Sequence, residues 1–159
     1  MHYFMSIPMR PFQQSLPMAL LGAREATMQR FRPMLADFGL TEQQWRVLRA
    51  LASADEPLEV TQVAARTELL PPSVSRIVAR LADDSLIERT TVEHDQGGAA
   101  LRVTRGGRGL VTRVAPHSEC IYAEIEAAFG AERLAQLLTE LHDLTTIADS
   151  TVDQAREGS

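Results

Sequence analysis

The sequence predicts a mainly α-helical chain with one small β-hairpin, and three observations carry that reading. Apolar residues recur at spacings of three and four along six stretches, the period of an amphipathic helix. Between the fourth and fifth of these, residues 86–92 (LIERTTV) and 100–103 (ALRV) have strand composition, with Asp95, Gly97 and Gly98 supplying turn chemistry between them. At 159 residues and 45% apolar composition, the chain can bury a sizeable core in one or two small domains.

Ser15 followed by Pro17 signals the start of the first helix, since proline's fixed φ suits a first turn. Leu20, Arg24, Thr27, Met28, Phe31 and Leu35 then follow at helical spacing. Pro33 lies inside this pattern and is expected to kink or end the helix, because it removes a backbone donor and crowds the preceding turn. Gly39-Leu40-Thr41 closes the element, and Thr41-Glu-Gln-Gln44 has the form of a capping box. The helix it opens carries Trp45, Leu48 and Leu51 on one face.

After the turn SADEP come Leu58-Glu-Val60, a short helix VTQVAART, the connector LLPP and a further helix SVSRIVARLADD. Val74, Ile77, Val78 and Leu81 form the apolar stripe of that helix, which leaves Ser73, Ser75, Arg76, Ala79 and Arg80 facing outward. Two strands alone are marginal, so the hairpin must lean on the helices. Thr104 caps a long helix with the stripe Leu110, Val114, His117, Ser118, Ile121 and Ile125, interrupted by Pro116. Beyond Gly130, Leu134, Leu137, Leu138, Leu141, Leu144 and Ala148 mark the last helix.

Two short helices with a tight connection, followed by a hairpin, make a winged helix-turn-helix. The first helix and the last two have too little chain for a core of their own, yet carry long apolar stripes. Pairing with the same elements of a second copy would bury them, so a homodimer is expected. The organisation this gives is an N-terminal arm (1–14), dimerisation helices (15–38 with 105–152), a winged helix-turn-helix (41–104) and a flexible tail (153–159).

Charge is uneven. Residues 116–159 hold two Arg against nine Asp or Glu, whereas residues 57–115 hold eight Arg against seven acids. A net charge of −5 argues against an indiscriminate nucleic-acid binder, and the acid is concentrated in the C-terminal third. Every basic residue is arginine, which a compositional bias explains as well as a need for its planar fork. No run is apolar enough to span a bilayer, and MHYFMSIPMRPF lacks the pattern of a signal peptide, so a cytoplasmic location and no membrane partner are expected. One cysteine rules out an intramolecular disulfide.

SLPMALLGAREATMQRFRPMLADFGLTEQQWRVLRAL in residues 15–51, PPSVSRIVARL in 71–81, and then LIERT, HDQ and LRVTRGG resemble the MarR family of bacterial regulators. The similarity is to the branch that contains repressors of homoprotocatechuate degradation, and it covers residues 15–150. It implies a homodimeric repressor of double-stranded DNA, each recognition helix in a major groove and each wing toward the neighbouring minor groove. Such a dimer reads a palindrome with half-sites about one helical turn apart. The matching recognition residues are Ser73, Ser75, Arg76 and Arg80, with Arg76 able to contact guanine bidentately. For all four the plain alternative is a solvated helix face, and Arg80 has the further option of pairing with an acid.

The wing departs from the family pattern. Typical members read Asp-x-Arg there, and Asp95 matches, but Gly97 and Gly98 stand where basic residues should be. Arg102 and Arg105, which flank the tip, read equally as phosphate contacts or ordinary surface. Weaker and less salt-dependent DNA binding is expected than in an arginine-winged relative. The competing class is an interaction or regulatory protein that keeps this fold and binds DNA poorly or not at all. Ser85 also stands where relatives have the glycine that ends the recognition helix, which implies strain or a rearranged helix end.

The resemblance further implies a small phenolic or aromatic carboxylate effector, bound between the dimerisation helices and the winged helix and relieving repression. Arg24, Trp45 and Arg46 are the candidates to hold it, with Arg49 a lesser one, because an arginine fork beside an aromatic face suits such an anion. Core packing for Trp45 and internal ion pairing for the arginines are the alternatives. His117, Cys120 and Glu124 lie a helical turn apart, but no second cluster accompanies them, so no metal and no cofactor are expected and redox sensing by Cys120 is disfavoured. No nucleophile-and-base motif, phosphate-cradling loop or carboxylate pair is visible, and the glycines at 106, 107 and 109 lack the P-loop pattern. The chain is not expected to be an enzyme.

Overall fold

The computed structural model describes residues 9–91 and 98–157. After a short 3-10 turn at Phe12–Gln14, the order is α1 (Leu16–Asp37), α2 (Glu42–Ala52), β1 (Leu58–Glu59), α3 (Val60–Thr67), α4 (Pro71–Asp83), β2 (Ile87–Thr91), β3 (Ala99–Val103), α5 (Arg105–Phe129) and α6 (Ala131–Glu157). This is the mainly helical, winged helix-turn-helix architecture expected from the sequence. The chain divides into one unit up to His117 and another from Ser118.

Local chemistry sets the element ends. Ser15 caps α1, its hydroxyl accepting from the Met18 N–H, with Pro17 in the first turn. Pro33 does not end α1, contrary to the stronger form of the expectation. The helix continues to Asp37, and its last turns are anchored by the burial of Phe31 and Leu35. It stops at Gly39, whose φ of 70° turns the chain so that the Gly39 and Leu40 N–H groups bond to Ala36 O and Leu35 O. Pro116 likewise lies inside a continuous α5.

The sheet has one strand more than the hairpin read from the sequence. Order is β1-β3-β2, all antiparallel, with Leu58 opposite Leu101 and Ile87 opposite Val103. A two-residue strand has no alternation to detect, and β1 exists because β3 offers it an edge. Leu58, Ile87, Leu101 and Val103 bury one face of this sheet. The wing-tip residues Asp95 and Gly97 lie outside the described residues, while Gly98 borders open space.

The core of the first unit joins Leu35, Val47, Leu48, Leu51, Val63, Val74, Val78, Leu81, Leu101 and Val114. Each side chain of this kind contributes about 1.5–3 kcal/mol when fully buried. By contrast, Met9, Phe12, Leu16, Met18, Leu20 and Leu21 are exposed at the start of the chain, as are Leu137, Leu138, Ile147 and Val152 on α6. Among the described residues no helix is long and apolar enough to cross a membrane.

Candidate nucleic-acid interface and effector site

The helix-turn-helix is α3, a left-handed corner and α4. Glu59 N–H donates to Gln62 Oε1 at 2.9 Å, starting α3. Glu68 adopts φ 54° at its end, which lets Leu69 N–H reach Ala64 O. Pro71 and Pro72 then begin α4 without losing a donor that the helix would use. Val74, Val78 and Leu81 are buried and Ile77 half-buried, so Ser75, Arg76 and Arg80 are left exposed and Ser73 half-exposed, as the apolar stripe predicts. Arg76 Nη2 donates to Ser73 Oγ at 3.4 Å, and Arg80 Nε pairs with Asp84 at 3.3 Å. Because the Arg80 side chain is 69% exposed, that pair is weak and exchangeable.

The junction between α4 and the wing is built from two unusual backbone positions. Ser85 takes φ 59°, the left-handed conformation that glycine holds at the end of α1, with its N–H on Ala82 O and Leu86 N–H on Leu81 O. Thr104 then ties the base of the wing to α5. Its hydroxyl donates to Ser85 O at 2.7 Å and accepts from Gly107 N–H at 3.0 Å. A Cβ at Gly107 would lie 2.1 Å from Leu86 O and 2.6 Å from Val103 Cγ2, so only a glycine permits this approach. Arg102 and Arg105 are exposed. Arg102 stands opposite Glu88 across the sheet and borders a separate cleft of about 230 Å³ with Asp55, Glu56 and Arg108.

A second cluster joins α1 to α2. Glu42 accepts from Arg24, from Arg32 Nε at 2.7 Å and from Arg46 Nη2 at 3.0 Å, while Glu25 pairs with both Arg24 and Arg32 at 3.0 Å. Arg46 also donates to Thr67 O at 2.9 Å, so one side chain connects α2 to the end of α3. Burial alone would raise the Glu42 carboxyl, but hydrogen bonds and charge from Arg24 and Arg32 outweigh it and hold it below its ordinary value. Glu25 is lowered chiefly by its hydrogen bonds from Arg32, and Arg32 is raised in turn.

Of the three residues read as effector ligands, Arg24 and Arg46 therefore make the internal ion pairs that were the alternative reading, on a carboxylate, Glu42, that the sequence did not single out. Trp45 packs against the core, and the Arg49 guanidinium lies 5.9 Å from its ring centroid. Among the described residues, Arg49 has no acidic partner. His117 packs edge-on against Phe38 with ring centroids 5.2 Å apart, and Cys120 is exposed.

Comparison with known proteins points to one family. Residues 38–96 match the MarR family. The chain is 38% identical over 136 residues to the homoprotocatechuate degradative operon repressor of Escherichia coli, covering 86% of this chain and 91% of that protein. The crystal structure of transcriptional regulator PA4135 superposes with a TM-score of 0.80 at 40% identity, covering 87% and 98% of the two chains. NadR in complex with 4-hydroxyphenylacetate gives a TM-score of 0.75 at 32% identity, covering 87% and 97%.

Proposed function

This chain belongs to the MarR family of transcriptional regulators, and on that premise we propose that it is a homodimeric repressor of a palindromic operator, released by a small aromatic carboxylate. The family is one of regulators and not of enzymes. The observation that carries the proposal is the outward face of α4, where Ser73, Ser75, Arg76 and Arg80 leave the core together on the second helix of a helix-turn-helix. Arg76 reads a base edge, Ser73, Ser75 and Arg80 hold backbone or base atoms, and Arg102 and Arg105 add phosphate contacts at most. The exposed apolar residues of α1, and separately those of α6, support the dimer, since apolar side chains left open in such number on a helix are uncommon on a soluble monomer.

The effector class follows from NadR, whose ligand is a phenolic carboxylate, and from the chemistry of α2. An aromatic ring would lie on Trp45, with its carboxylate drawn to guanidinium groups. Arg49, stacked on the same indole, needs no exchange of partner to accept it. Arg24 and Arg46 would give up Glu42 to do so, which couples binding to the α1–α2 link. Titrating 4-hydroxyphenylacetate into a complex with the intergenic DNA beside the gene tests this. Release of the DNA is expected, and a loss of response in Trp45→Ala. A complex indifferent to this acid and to other phenolic acids would refute the effector reading.

A further inference from the structure

The outward face of α4 continues onto a second element. Thr41, Gln43 and Gln44 at the start of α2, with Ser73, Arg76 and Arg80 of α4, line one cleft of about 290 Å³. Hydrogen bonds on its walls decide which ends of these side chains are left for a ligand. Thr41 Oγ1 accepts from Gln44 N–H at 3.1 Å, and Gln44 Oε1 accepts from Thr41 N–H at 3.0 Å. Both oxygens are thereby held toward the helix's own start, which leaves the Gln44 NH2 and the Thr41 O–H as the donors turned to a ligand. Ser73 is in the same condition, because its oxygen accepts from Arg76 and its proton is still to give. Arg80 is engaged through Nε by Asp84, so its terminal amino groups remain to donate. Among the described residues no carboxylate lines the cleft. Donors from two elements, with a guanidinium of Arg80 that Asp84 holds only through Nε from outside the lining, suit an oxyanion.

We propose that this cleft seats a backbone phosphate of duplex DNA, held by the Gln44 carboxamide and Thr41 hydroxyl of α2 together with Arg80 of α4, while Arg76 on the same wall reaches past it to a base edge. The proposal rests on the DNA-binding reading above and extends the interface beyond the recognition helix. A phosphate fixed from α2 sets the depth and register at which α4 meets base edges, which is what backbone contacts supply. It also gives the protein an anchor independent of its glycine-tipped wing.

The test is Gln44→Glu. Glutamate serves a capping box as well as glutamine does, so α2 keeps its start while the donor facing the phosphate becomes an anion. Binding to the intergenic duplex should weaken by roughly tenfold or more, with an unchanged unfolding midpoint. The duplex is then made with single methylphosphonates, one position at a time. At one position in each half-site, neutralising the phosphate should weaken the wild type and strengthen Gln44→Glu. Equal affinity of variant and wild type would overturn the cleft alone, as would a loss that no single neutral linkage relieves. A wild type that binds no duplex at all would overturn the DNA-binding reading and this proposal together.

Discussion

Replacing Glu42 by glutamine removes one negative charge from beneath three guanidinium groups and keeps the shape. The size of the effect follows from what each arginine retains. Arg24 and Arg32 still have Glu25, and Arg46 still has Thr67 O, so none is stranded. The three arginine side chains are 32–43% exposed against 16% for Glu42, which places these contacts nearer surface pairs than buried ones. Surface pairs contribute up to about 1 kcal/mol each, so the substitution should cost about 2 kcal/mol in all. For a chain of this length that lowers the melting midpoint by roughly 4–8 °C.

The pH dependence makes that experiment specific. Glu42 lies below its ordinary value of 4.5 in the folded protein, so its contribution is fully present above that value and is lost as pH falls through the lower folded value. Denaturant unfolding of wild type and Glu42→Gln should therefore show a constant gap near neutrality, closing in acid as the native carboxyl takes up its proton. A gap that persists unchanged in acid, or one too small to measure at pH 7, would refute the assignment of this carboxylate as the α1–α2 tie.

Two backbone positions give further predictions. Gly107→Ala should destabilise by about 2 kcal/mol by chemical denaturation, because the clash with Leu86 O is with backbone and outweighs alanine's better helix propensity. A stabilised Gly107→Ala would mean that α5 does not approach the wing as described. Ser85→Gly should raise stability by about 0.5–1 kcal/mol, since relief of a left-handed serine exceeds the chain entropy that glycine adds when unfolded. A lower midpoint for Ser85→Gly would show that the serine is not strained.

Features that depend on neighbours in sequence were legible, and those that depend on how helices meet were not. The Thr41–Gln44 capping box, the α4 stripe and the Thr104 cap each involve residues three or four apart, so spacing alone exposes them. Ser85 was legible through the family resemblance, which places a glycine at that helix end, and its φ of 59° is the left-handed conformation a glycine would hold. The Glu42 hub was not legible. Its contact to Arg46 lies at helical spacing, but Arg24 and Arg32 reach it from another helix, and the angle between helices is set by core packing that no local pattern records. Val47 was missed because it is fully buried although it lies outside the narrow stripe of Trp45, Leu48 and Leu51. Arg49, read from the sequence as the lesser effector candidate, lies four residues from Trp45, a spacing that places its guanidinium over the ring.

Whether the α4 face reads DNA sequence is measured by fluorescence anisotropy. A labelled duplex from the intergenic region and a scrambled duplex of equal length are titrated with wild type and Arg76→Ala at physiological salt. Wild type is expected to bind the intergenic duplex at about 10⁻⁸ M or tighter, with roughly a thousandfold preference over the scrambled one. In Arg76→Ala the preference should shrink by about 1–3 kcal/mol while binding to the scrambled duplex changes little. Equal wild-type affinity for the two duplexes, or a preference untouched by Arg76→Ala, would contradict sequence reading by the α4 face.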